Sequence, residues 1–163
     1  LRAEEPFPVG EIEPLLFRAY HGHLFQDVYE WAGEFRVVRI RRDSSMFCYP
    51  EHIEGQLDRL FGWLAEQNYL GVDDTTDFAT KGAHLLGELN AIHAFREGNG
   101  RTQMAFFTML AARAGHPLDL GLLEPAEFLD AMVAAFNGNE KPLAGQIRAL
   151  LQASSLPPQD ETP

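Results

Sequence analysis

A chain of 163 residues, 45% hydrophobic and 11% aromatic, is long enough to bury a core of its own and too apolar to stay disordered. A formal charge of −11 argues against a nucleic-acid footprint, which requires Lys and Arg in surplus on one face. The single cysteine, Cys48, excludes an internal disulfide and suits a reducing, cytoplasmic setting, and no stretch approaches the roughly 20 apolar residues that span a bilayer.

In chain order, Leu16, Tyr20, Leu24, Val28 and Trp31 recur at helical spacing, and Gly33 follows where a helix-terminating glycine is favoured, so a first helix is predicted over 12–32. The run EFRVVRI from Glu34 favours a strand. With turn chemistry at Asp43-Ser44-Ser45 and a second apolar run to Tyr49, it predicts a β-hairpin over 34–49. Core helices then fill 51–152. Ile53, Leu57, Leu60, Phe61 and Leu64 mark one ending near Asn68, and a Thr or Asp cap between Gly71 and Asp77 starts another whose stripe is Leu85, Leu86, Leu89 and Ile92. A nearly all-apolar helix follows to Ala114, stopped by Gly115 and Pro117. Pro125 and Pro142 begin two more, and the proline-rich, acidic residues 153–163 read as a disordered tail. The class is all-α with one hairpin, in one domain over 1–152. Because position 1 is Leu1 rather than methionine, a preceding segment is expected.

Between the two most apolar helices stands HAFREGNGRTQ, residues 93–103. Gly98 and Gly100 free the backbone and let a ligand approach its amides, and a helix starting near Arg101 offers unpaired N–H groups to an anion. Arg101 can fork onto a phosphate, whereas Glu97 would repel one unless a Mg²⁺ ion joins them, which points to a nucleoside diphosphate or triphosphate. His93, with an ordinary pKa of about 6.5, suits the base that deprotonates an attacking hydroxyl, and Phe95 anchors the loop inward. Taken singly, each residue has a plain alternative: a helix-end histidine, a glycine loop, a surface ion pair. Jointly, such a string arises by chance on the order of 10⁻⁸ per position.

HAFREGNGR resembles the signature of Fic-domain enzymes, HxFx(D/E)GNGRxxR, and the similarity extends to LFQDVYEWAGEFR (24–36) and LLGELNAIHAF. The resemblance implies the Fic fold, about six to eight helices with a hairpin flap, and transfer of AMP from ATP to a hydroxyl of a target protein. It implies His93 as base, Glu97 as Mg²⁺ ligand, and Gly98, Asn99, Gly100 and Arg101 around the phosphates. It further implies Asn137 beside the nucleobase, and a flap of Arg41, Arg42, Asp43, Ser44, Ser45, Met46 and Phe47 that docks the target by main-chain pairing.

One position departs from the pattern. Met104 occupies the place of the second motif arginine, and losing one charge-assisted bond of roughly 1.5 to 3 kcal/mol weakens nucleotide placement ten- to over a hundredfold. A slow adenylyltransferase, a relative using another donor (UMP, phosphocholine or phosphate transfer), and a catalytically impaired binding module therefore stay open. No Ser or Thr is followed four residues later by Glu, so the inhibitory helix common among Fic proteins is expected in trans, on a small antitoxin-like protein, if the control exists. This is the pattern of a toxin or of an effector delivered into a host cell. A zinc hydrolase is set aside because His21, His23, His52, His84 and His116 lack spacing such as H-E-x-x-H and read as surface or packing residues.

Overall fold

Apolar residues at helical spacing leave the chain one economical arrangement, helices packed on helices around a shared core. The computed structural model, which describes residues 1–151, has six α-helices: α1 (Pro14–Phe25), α2 (Ile53–Glu66), α3 (Thr75–Ile92), α4 (Asn99–Arg113), α5 (Pro125–Phe136) and α6 (Lys141–Leu151). The centre is α3, which packs against α2, α4, α5 and α6, while α1 lies across α4. Its stripe of Phe78, Leu85, Leu86, Leu89 and Ile92 is buried against Phe106, Phe107 and Leu110 of α4 and Leu143 and Ile147 of α6 within one continuous core. The expected tail lies outside the described residues.

The helix boundaries follow local chemistry. Asp74 caps α3 by accepting from the Asp77 amide at 2.8 Å, Pro125 opens α5, and Gly115 follows α4 at a φ of 82°. Helix α2 stops at Glu66, and Asn68, Tyr69 and Leu70 then turn through positive φ so that the Leu70 side chain is fully buried.

Two expectations need correction. The first helix ends at Phe25, not near Trp31, because Gly33 does not terminate it. The Gly33 amide donates to His21 Nδ1 at 2.9 Å and its carbonyl accepts from Arg18 Nε at 2.7 Å, which folds the 26–33 segment back along the helix through tight turns. The hairpin is also far shorter than 34–49. Its strands are β1 (Arg41–Arg42) and β2 (Ser45–Met46), antiparallel, with Arg41 opposite Met46 and Arg42 opposite Ser45. The residues of EFRVVRI are spent otherwise, because Arg36 within it turns inward.

Candidate active site

Helix α3 runs out at His93, a non-glycine residue in the left-handed region (φ 49°, ψ 62°) whose amide still bonds the Leu89 carbonyl at 2.9 Å. Such a conformation persists only where neighbours over-determine it, and Arg36 supplies the restraint. Only 2% exposed, Arg36 donates from Nε to the His93 carbonyl (2.6 Å), from Nη2 to those of Ile92 (3.1 Å) and Cys48 (2.5 Å), and from Nη1 to that of Val38 (2.8 Å). Its own amide donates to the Ala94 carbonyl at 3.0 Å, and the Cys48 amide donates to that of Ala91. The base of the flap is thus stapled to the end of α3. The sequence reading assigned Arg36 no role. No local signal marks it: Arg36 is the one buried residue of 34–40, while the neighbouring Val37 and Val38 are exposed.

The imidazole of His93 lies parallel to the Phe47 ring, centroids 3.8 Å apart and planes 10° apart. Its Nδ1 is buried without a hydrogen bond of standard geometry, which leaves Nε2 as the nitrogen open to a reactant. Burial, then the positive charges of Arg36 and Arg42, push the imidazole down to about 4, with the Asn90 carbonyl pulling weakly the other way. At neutral pH the ring is uncharged and can accept a proton.

The loop after His93 is held from below. Phe95 is fully buried, and Asn99 closes a ring with it, Oδ1 accepting from the Phe95 amide (2.9 Å) and Nδ2 donating to its carbonyl (2.6 Å). His21, also fully buried, stacks on Phe95 with centroids 3.9 Å apart. Because its Nδ1 accepts from the Gly33 amide, its Nε2 carries the hydrogen and donates to the Glu97 carbonyl at 2.9 Å. Gly98, at a φ of 82°, abuts Phe25 so closely that a Cβ there would stand 2.4 Å from the ring.

Then α4 begins, with no side chain capping it and no acid in its first turn, so its leading amides point outward unpaired. A Cβ on Gly100 would meet nothing within 4 Å, so the open space beside this helix start is available to a ligand. Glu97 and Arg101 are exposed at its edge. A helix N-terminus with an open approach and a neighbouring cation fits phosphate oxygens. One exposed carboxylate fits Mg²⁺, which usually takes one or two carboxylates and completes its shell with water and substrate phosphates.

Most of the predicted residues lie on the loop from α3 into α4 or on the hairpin whose base is held to it, with two adjustments. The Asn99 side chain is spent on Phe95, which leaves its backbone amide as the part available to an anion. Phe47 is buried against His93 and meets Phe136 edge-on at 5.5 Å, so it belongs to the wall of the site and not to an exposed docking face. Arg41, Arg42, Asp43, Ser44 and Met46 are exposed and Ser45 half-buried along the hairpin. Asn137, exposed, caps α5 directly after Phe136, whose ring meets Phe47. Met104 is half-buried and packs against the core.

Residues 11–111 match the model of the Fic/DOC family. The chain is 49% identical over 151 residues, 92% of its length and 79% of the relative's, to "Probable protein adenylyltransferase y4lH" of Sinorhizobium fredii. It is 39% identical over 128 residues to protein adenylyltransferase VbhT of Bartonella schoenbuchensis, covering 78% of this chain but 27% of that one. Among solved structures, the N-terminal Fic domain of a VirB-translocated Bep effector protein from Bartonella quintana, with bound ADP, superposes with a TM-score of 0.83 at 25% identity, over 91% of this chain and 77% of that one. The helical fold is shared with that solved domain, and the chain belongs to the Fic/DOC family.

Proposed function

We propose that this chain is a protein adenylyltransferase, moving AMP from ATP to a hydroxyl side chain of a target protein. The observation that carries the reading is the uncapped start of α4, open at Gly100, together with an uncharged imidazole whose Nδ1 is buried, which leaves Nε2 for a reactant. The names of the relatives, protein adenylyltransferases, and the ADP in the Bartonella quintana domain support it.

In this reading the amides of Asn99, Gly100 and Arg101 bind phosphate oxygens, and the Arg101 guanidinium adds a fork to one of them. Glu97 would hold Mg²⁺, which supplies charge neutralisation across the phosphates. A hydroxyl of the target gives its proton to His93 Nε2 as its oxygen bonds to the α-phosphorus. The bond from that phosphorus to pyrophosphate breaks, and pyrophosphate carries off the electron pair. With Nε2 accepting, the ring hydrogen sits on Nδ1, toward the Asn90 carbonyl, and the stack on Phe47 fixes the ring plane. The target strand pairs with the exposed edge of the β1–β2 hairpin, Asn137 borders the nucleobase, and any inhibitory helix comes from a separate small protein. Among the described residues no helix is long and apolar enough to cross a membrane.

One observation favours a second reading. Met104 presents a thioether where the family motif has an arginine, so the terminal phosphate of ATP loses a cationic partner and a donor with a different distal group becomes competitive. Incubating a target-cell lysate with each nucleoside triphosphate and Mg²⁺, then reading masses for wild type and His93→Ala, separates the two. A 5′-AMP increment on protein that vanishes in His93→Ala is expected. An increment that persists in the variant refutes the role of His93, and one of another mass refutes AMP as the group moved.

A further inference from the structure

We propose that His84, Glu88 and Glu140 form a zinc site, separate from the nucleotide cradle, that ties α3 to the start of α6. His84 and Glu88 stand four positions apart on α3 and so share one face of it. Glu140 comes from the turn that leads into α6, the helix packed along α3. Its carbonyl accepts from the Ala144 amide at 3.0 Å, which makes it the residue that starts α6, and its carboxylate crosses to α3, with Oε1 2.9 Å from His84 Nδ1.

Two features make this a seat for a cation. Gly87 lies between the two α3 ligands, and a Cβ there would stand 3.8 Å from Glu140 Oε1, an ordinary contact distance, so the carboxylate lies directly against the α3 backbone. The three side chains also each offer a donor atom within 4.8 Å of the others, although two of them are carboxylates. The imidazole already partners Glu140, Glu88 brings a second carboxylate to the same face, and a divalent ion is the single partner that would engage all three. One imidazole and two carboxylates, with a position left for water, is a donor set that suits Zn²⁺ among the common divalent ions. Trp63 backs the imidazole edge-on, ring centroids 4.8 Å apart, and limits how the ring can turn. Nine residues separate His84 from His93 (93 − 84), roughly 13 Å along the helix at 1.5 Å per residue, so an ion here does not reach the phosphates. The sequence reading took His84 for a surface or packing residue, because Glu140 arrives from 52 residues later (140 − 88) and no local spacing reveals it.

The test is zinc titration of the full chain, stripped with chelator, followed by calorimetry and by thermal melting. One ion per chain and a raised melting temperature are expected. His84→Ala and Glu88→Gln should each lower zinc affinity by at least about tenfold and abolish the thermal gain. Because Glu88 is exposed, its variant keeps the fold, and melts without zinc check both variants. AMP transfer with Mg²⁺ should be unchanged in either, so the zinc site and the proposed activity can fail separately. Absence of zinc binding by wild type overturns the proposal, as does binding of equal strength in both variants, which would place the ion on other histidines.

Discussion

Replacing Arg36 with methionine should damage stability and shift the pH dependence of catalysis together, because one guanidinium serves both. Four carbonyls, those of Val38, Cys48, Ile92 and His93, lose their donor. At about 1 kcal/mol for each unmet acceptor the gross loss is about 4 kcal/mol. Burial holds the Arg36 pKa below its ordinary value, so removing the buried charge returns part of that loss. A net loss of about 2 to 4 kcal/mol corresponds to a melting temperature lower by roughly 5 to 15 °C for a chain of this size.

The electrostatic effect has its own sign. Arg36 is one of the two positive charges that hold the His93 imidazole down, so its removal lets that pKa climb from about 4 toward the ordinary value. A base works only unprotonated, so the acid limb of kcat/KM, near pH 4 in wild type, moves upward in the variant. Arg36→Lys keeps the charge but not the fork, and should lose stability while leaving the limb nearly in place. A methionine variant that melts like wild type, or one whose acid limb does not move, refutes the assignment of Arg36 as the staple and tuner of His93.

The two motif glycines should behave oppositely. Gly98→Ala brings a Cβ within 2.4 Å of the Phe25 ring at a positive φ and should lower the melting temperature, at a cost of about 1 to 3 kcal/mol; an unchanged melt would contradict the close packing. The Cβ of Gly100→Ala meets nothing within 4 Å and should leave the melt unlowered, yet weaken ATP binding about tenfold or more through loss of a phosphate contact of roughly 1.5 kcal/mol; dialysis showing equal binding would remove the nucleotide from this helix start. Met104→Arg should raise AMP transfer from labelled ATP about ten- to a hundredfold, and an unaltered rate would mean the terminal phosphate lies elsewhere.

What the sequence disclosed is what short-range chemistry decides. Pro125, Asp74 and Gly115 set helix limits through contacts within a few residues, so they could be read directly. The motif string could be read because its residues are contiguous. What stayed hidden was decided by distant partners. Gly33 looked like a helix stop, yet its amide belongs to His21, on the preceding helix. Arg36 looked like one residue of a strand, although its donors answer carbonyls at the end of a helix more than fifty residues away. Asn99 looked like a phosphate ligand, because nothing in the string says that its amide is already committed to Phe95. Phe47 looked like part of an exposed flap, since a hairpin's periodicity does not say where its last ring comes to rest.

His21 gives the first helix a share in the chemistry that its distance from any reactant conceals. The floor under the turn after α3 is a side chain from the amino-terminal segment, wedged between one backbone donor and one backbone acceptor. Acidification that protonates this ring removes the acceptor on which Gly33 depends, and cutting the chain after that glycine removes the ring itself. A shortened fragment that keeps every letter of the HAFREGNGR string would still arrive with its cradle unsupported.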